Sequence, residues 1–133
     1  MGISLGAYQS RLAGDKIRGV FQMEILAYKP AKIADRELVM EGKDMRVQVL
    51  TLGKNDCIPW HYHSEITDSF VCLEGTLVVE TKAPTNTHIL EVGDRCEVEP
   101  MVAHYVHGLN MSSAKFMILQ GVGVYDNIPV GEK

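Results

Sequence analysis

From residue 46 onward, turn residues cut this chain into short apolar runs, too short for ordinary helices and rich in the β-branched and aromatic side chains that suit a pleated surface. Arg46-Val47-Gln48-Val49-Leu50-Thr51-Leu52 stops at the turn cluster Gly53-Lys54-Asn55-Asp56. Ser69 to Leu73 runs into Glu74-Gly75, and Thr76 to Thr81 follows at once, which predicts a tight hairpin bending at Gly75. Residues 82–87 contain Pro84 and Asn86 and read as a loop, and His88 to Val92 reads as a strand ended by Gly93-Asp94. Segments 96–99, 105–109 and 115–124 continue the series at regular spacing. Many short strands joined by such turns specify an all-β domain, a sandwich or a barrel.

Before residue 46 the pattern is weaker. Phe21, Met23, Ile25 and Ala27 alternate with Gln22, Glu24 and Leu26, predicting an N-terminal strand that packs on the barrel edge or on a neighbouring subunit. Residues 31–38 predict a helical turn or two. No repeat or linker divides the 133 residues, so a single domain, 1–133, is expected, with its barrel core at about 38–124.

Composition excludes several classes. With 46% hydrophobic and 23% charged residues the chain resembles neither a disordered tail nor a fibre. A net charge of −4 without any Lys/Arg run excludes a phosphate-backbone partner. Cys57, Cys72 and Cys96 are odd in number and lack Cys-x-x-Cys spacing, which argues against a disulfide framework or a thiolate zinc site. Free thiols, the absence of a basic-then-apolar leader in Met1 to Gly6, and no bilayer-length apolar stretch predict a soluble cytoplasmic protein.

All five histidines fall between positions 61 and 107. On a strand, His61 and His63 share a face because side chains alternate with period two. Asp68 begins the next strand and could return a carboxylate to the same point, and His104 follows the segment from Gly93 to Pro100. Three imidazoles and a carboxylate suit a divalent transition metal: Fe, Mn, Ni, Zn or Cu. The His-x-His pair taken by itself also fits two ordinary hydrogen-bonded surface histidines.

His61-Tyr62-His63-Ser64-Glu65-Ile66-Thr67-Asp68, followed after six residues by Gly75, resembles the first motif of the cupin superfamily, G(x)5HxH(x)3-4E(x)6G. Gly93, Pro100, His104 and Asn110 resemble its second motif, G(x)5PxGxxH(x)3N. The resemblance covers residues 45–124 and implies a double-stranded β-helix, or jelly-roll barrel, with a metal held by His61, His63, Asp68 and His104. The chain departs from the pattern in several places. Seven residues rather than five separate Gly53 from His61, Asp68 stands where the family has Glu, Pro100 and Asn110 fall late, and Val102 is not the motif's Gly. Should the shorter Asp68 fail to reach, a three-histidine site is the fallback, with Glu65 a weaker substitute ligand.

The resemblance further implies a metal-dependent enzyme for a small oxygenated or carboxylate-bearing metabolite. Dioxygenase chemistry ranks first, an isomerase or lyase second and a non-catalytic metal- or ligand-binding module third, on a barrel that commonly pairs as a homodimer. Candidate general bases are Glu65, a metal-bound hydroxide, or a tyrosine such as Tyr105 or Tyr125. Period two sends Phe70 and Cys72 inward with Asp68, turns Tyr62 away, and places His107 on the face opposite His104. His88 and His107 are then solvated or hydrogen-bonded, Cys72 is a small buried hydrophobe, and Trp60 and Phe70 pack the barrel. Residues 121–126 match no dinucleotide or phosphate loop, because no helix follows them.

Overall fold

The computed structural model describes residues 31–131. Ten strands follow one another: β1 (Asp35–Glu41), β2 (Met45–Leu52), β3 (Cys57–Tyr62), β4 (Thr67–Glu74), β5 (Leu77–Thr81), β6 (Asn86–Leu90), β7 (Arg95–Val98), β8 (His104–Gly108), β9 (Ala114–Gly121) and β10 (Ile128–Pro129). They form two five-stranded antiparallel sheets, ordered β1-β2-β9-β4-β7 and β10-β3-β8-β5-β6. Among the described residues no helix is long and apolar enough to cross a membrane.

Alternation decides which side chains meet between the sheets. On β2, Leu50 and Leu52 point inward with Gln48; on β4, Asp68, Phe70 and Cys72 do; on β9, Ala114, Phe116, Ile118 and Gln120 do. Leu77 and Val79 of β5 and Val106 of β8 meet them from the other sheet. Register aligns these residues in rows. Leu50, Phe116 and Cys72 lie side by side, as do Gln48, Ile118 and Phe70, and then Arg46, Gln120 and Asp68. One end of the interior is therefore hydrocarbon, and the other grades into amides, a carboxylate and a guanidinium.

Turn chemistry fixes the ends of these strands. The N–H of Gly53 donates to Asp56 Oδ2 at 2.8 Å, closing the β2–β3 turn. Gly75 bends the chain between β4 and β5 at φ +74°, and a Cβ there would lie 2.7 Å from the Ser113 carbonyl oxygen.

Three expectations change. Residues 31–38 form no helical turn: the chain is extended there and enters β1, whose Arg36 and Leu38 lie opposite Leu50 and Gln48 of β2. Backbone pairing to a neighbouring strand outweighs the weak local helical preference. The last long strand ends at Gly121 rather than at residue 124. Trp60 does not pack inside the barrel, because its neighbour His61 takes the inward position. It stacks on Tyr105 with 5.6 Å between ring centroids, and the Lys82 ammonium lies 4.2 Å over it. The strand expected around Phe21 to Ala27 lies outside the described residues.

Phe116 is fully buried at the centre of the core, whereas Leu38 on the edge strand is exposed. Phe116→Ala is expected to lower unfolding free energy by about 3–5 kcal/mol. Leu38→Ala is expected to change it by no more than about 0.5 kcal/mol. Urea unfolding followed by circular dichroism checks both.

Candidate metal centre

His61 lies near the end of β3, His63 just beyond it, and His104 opens β8, where it pairs directly across from His61. These three imidazoles belong to one sheet and the turn that leaves it. Asp68 comes from β4 in the other sheet and faces them. All four side chains are buried, Asp68 and His104 to 1% exposure, and their donor atoms lie within 4.8 Å of one another.

Asp68 Oδ2 is 3.0 Å from His63 Nε2 and 2.9 Å from His104 Nε2. Adjacent donors about one ion with bonds near 2.1 Å stand roughly 3 Å apart, so this spacing matches a shared cation. The backbone fixes the rings. Nδ1–H of His61 donates to the Pro59 carbonyl at 2.8 Å, that of His104 to Val102 at 2.9 Å, and that of His63 to Asp126. With Nδ1 occupied in every ring, each imidazole is left with Nε2 as its ligating atom, which is how metal-binding histidines are usually oriented. The donor set therefore fits a divalent transition metal.

The protonation states of His61 and Asp68 agree with that use. Burial, reinforced by the neighbouring imidazoles, holds the pKa of His61 well below its ordinary value, keeping a lone pair available. Burial would raise the Asp68 pKa, but His63 and the hydrogen bonds from both rings outweigh it and hold the carboxyl well below the usual range. Burial opposes charge on His63 as well, yet contact with Asp68 raises its pKa on balance.

A second layer holds Asp68 in place. Gln120 on β9 donates from Nε2 to Asp68 Oδ1 at 3.0 Å, and Arg46 Nη2 donates to Gln120 Oε1 at 2.9 Å. Asp126 braces the chain after His63 by accepting from the Ser64 backbone N–H at 2.8 Å and from the Ser64 hydroxyl. Beside the cluster lies a cavity of about 80 Å³ that reaches His61 and Asp68 and is bounded at its polar end by Arg36, Arg46, Gln48 and Tyr125.

The structure thus brings together His61, His63, Asp68 and His104. The shorter carboxylate of Asp68 reaches both rings directly, so Glu65 has no part in the cluster; it is exposed, and its Oε1 accepts from the Val124 N–H at 3.2 Å. Of the expected bases, Tyr105 lies on the outer face against Trp60, and Tyr125 borders the cavity. His107 faces away from the cluster, with Nε2 2.6 Å from Glu80 Oε2, and His88 is only partly buried on β6. Burial pushes the Cys72 thiol up and the Cys96 thiol to about 11, so neither is a ready nucleophile.

Sequence reasoning missed Arg36, Arg46, Gln48 and Gln120. The signal for the β2 pair was present: Arg46 and Gln48 share the period-two face of Leu50 and Leu52.

No protein-family model matches the chain, and no curated protein matches it. Solved structures do. A Klebsiella pneumoniae protein with a double-stranded β-helix domain superposes with a TM-score of 0.63 at 19% identity, over 90% of this chain and 100% of that one. The fold is a double-stranded β-helix, the cupin barrel. Two further structures share the cupin barrel at lower identity. Oxalate decarboxylase from Lactobacillus farciminis matches with a TM-score of 0.63 at 12% identity over 80% of this chain, which spans only 34% of that longer one. KdgF from a Halomonas species matches with a TM-score of 0.57 at 14% identity over 67% of this chain and 85% of that one.

His61→Ala, His63→Ala, Asp68→Ala and His104→Ala are each expected to cut bound metal at least about tenfold, since each removes one of four donors. His107→Ala, on the outer face, is expected to leave metal content unchanged. Elemental analysis of untagged, folded protein checks the series.

Proposed function

We propose that this cupin barrel is a metal-dependent enzyme acting on a small oxygenated or carboxylate-bearing metabolite. One observation carries the reading: a buried His61–His63–Asp68–His104 donor set opens onto a cavity edged by two guanidiniums. An apolar core alone would not gather a buried carboxylate, three oriented imidazoles and two arginines at one end, because each polar group costs stability there unless it is compensated.

His61, His63, Asp68 and His104 would hold the ion. A bound divalent metal supplies Lewis acidity and, if redox-active, a route for dioxygen. The remaining work falls to the chain. Phe70 and Val106 wall the cavity with hydrocarbon and exclude water, and Gln120 fixes the direction of the Asp68 carboxylate. Tyr125, whose ring centroid is 5.2 Å from that of His63, carries a phenolic proton at neutral pH beside the cavity.

Dioxygenase chemistry is the first reaction class to test. The Tyr125 phenol also favours a second reading, an isomerase or lyase, because a proton donor beside a polarised substrate is what enolisation or decarboxylation requires. A homodimer in the cytoplasm completes the proposal. Leu38, Val39 and Met40 are exposed on the edge strand β1, a surface suited to a second copy, and the three cysteines are free thiols.

Protein stripped with chelator and reloaded with Fe(II), Mn(II), Ni(II), Cu(II) or Zn(II) is the test. At 100 times its dissociation constant the cognate ion is expected to stabilise the fold by about 2.7 kcal/mol, read as a rise in melting temperature. Metal-dependent oxygen uptake with short oxo-, hydroxy- or dicarboxylic acids supports the dioxygenase. Substrate loss without oxygen uptake supports the second reading, and metal uptake without turnover of any acid overturns the enzyme assignment.

A further inference from the structure

Arg46 lies at the mouth end of β2 in the same row as Gln120 and Asp68. Its Nη2 donates to Gln120, and its plane lies 4.6 Å from the Tyr125 ring centroid. Its Nε is buried and has no hydrogen-bond partner. A guanidinium has five N–H donors in a rigid fork that matches a carboxylate, and a buried donor is rarely left without an acceptor. Among the described residues no carboxylate lies within ion-pair distance of Arg46 or of Arg36. Arg36, at the exposed rim, donates from Nη1 to the amide oxygen of Gln48 at a long 3.4 Å.

The glutamines match this arrangement. Gln120 must present its NH2 to the Asp68 carboxylate, so its Oε1 faces Arg46. The result is a cavity lined by both cations and by His61 and Asp68 of the metal donor set, with hydrocarbon from Leu50, Phe70 and Ile118 in the rows beneath.

We propose that Arg46 and Arg36 form a carboxylate receptor, and that the substrate is a short acid whose second oxygenated group is directed at His61 and Asp68. The carboxylate accepts from the Arg46 guanidinium, which lines the cavity, and is held at the rim by Arg36. Size follows from the space. At about 80 Å³ the cavity holds on the order of half a dozen water-sized atoms, which suits a two- to four-carbon dicarboxylic or 2-oxo acid. The receptor deepens the enzyme reading given above, and its second contact alone rests on the metal.

The test is calorimetric titration of malonate and of malonamide, its neutral counterpart, into full-length protein, zinc-loaded and chelator-treated. Malonate is expected to bind at least about tenfold more tightly than malonamide. Arg46→Gln is expected to weaken malonate at least about tenfold and to abolish that preference in the zinc-loaded and the chelator-treated protein alike. Arg46→Lys, which retains the charge without the fork, is expected to fall between. Arg36→Gln, at the exposed rim, gives a second variant should Arg46→Gln fail to fold, and is expected to weaken malonate several-fold.

Wild-type malonate affinity in both Arg46→Gln and Arg36→Gln overturns the receptor. So does equal binding of malonamide, or no malonate binding in either form of the protein. Arginine-dependent malonate binding by protein that takes up none of Fe(II), Mn(II), Ni(II), Cu(II) and Zn(II) sustains the receptor and sinks the metal-dependent reading instead.

Discussion

The arrangement depends on the burial of one charge. Asp68 is removed from water inside a hydrocarbon barrel, and an ionised carboxylate there is tolerated only if positive or hydrogen-bonding groups surround it. His63 and His104 approach one oxygen and Gln120 donates to the other. Because Asp68 comes from one sheet and the imidazoles from the other, this compensation also fixes how the sheets face each other at that end. A divalent cation shared by the four groups would answer the same electrostatic demand more fully than hydrogen bonds do.

The same strands build the core and the site. Along β2, β4 and β9 the inward side chains change from Leu52, Cys72 and Phe116 at one end to Arg46, Asp68 and Gln120 at the other. Rigid hydrocarbon packing beneath the polar row limits how far any of these side chains can drift, which is what a binding constellation requires. Polar residues in this row are held by one another across the strands: Arg46 bonds to Gln120, and Gln120 to Asp68. Among the described residues, Arg46 Nε is the one buried side-chain donor left without a partner.

Much of this was legible in the chain itself. Turn residues such as Gly53, Gly75 and Gly93 mark where strands stop, and period two assigns Phe70 and Cys72 inward with Asp68 and His107 outward. Trp60 was misplaced because a large aromatic residue suggests a core, although its alternation with the inward His61 already turned it outward. Residues 31–38 were misread because their pairing partner, β2, lies further along the chain, beyond any local window.

Sequence alone determined the all-β class, the strand order along the chain and the imidazole pair at His61 and His63, because these follow from short-range periodicity and turn chemistry. Only the tertiary structure decided that His104 and Asp68 meet that pair, that Tyr125 borders the cavity while Tyr105 does not, and that Arg36 and Arg46 line the same cavity. Those are contacts between residues far apart in the chain, set by antiparallel register and by the facing of two sheets. No local rule carries that information, since a shift of one residue in register would turn every one of these side chains to the opposite face.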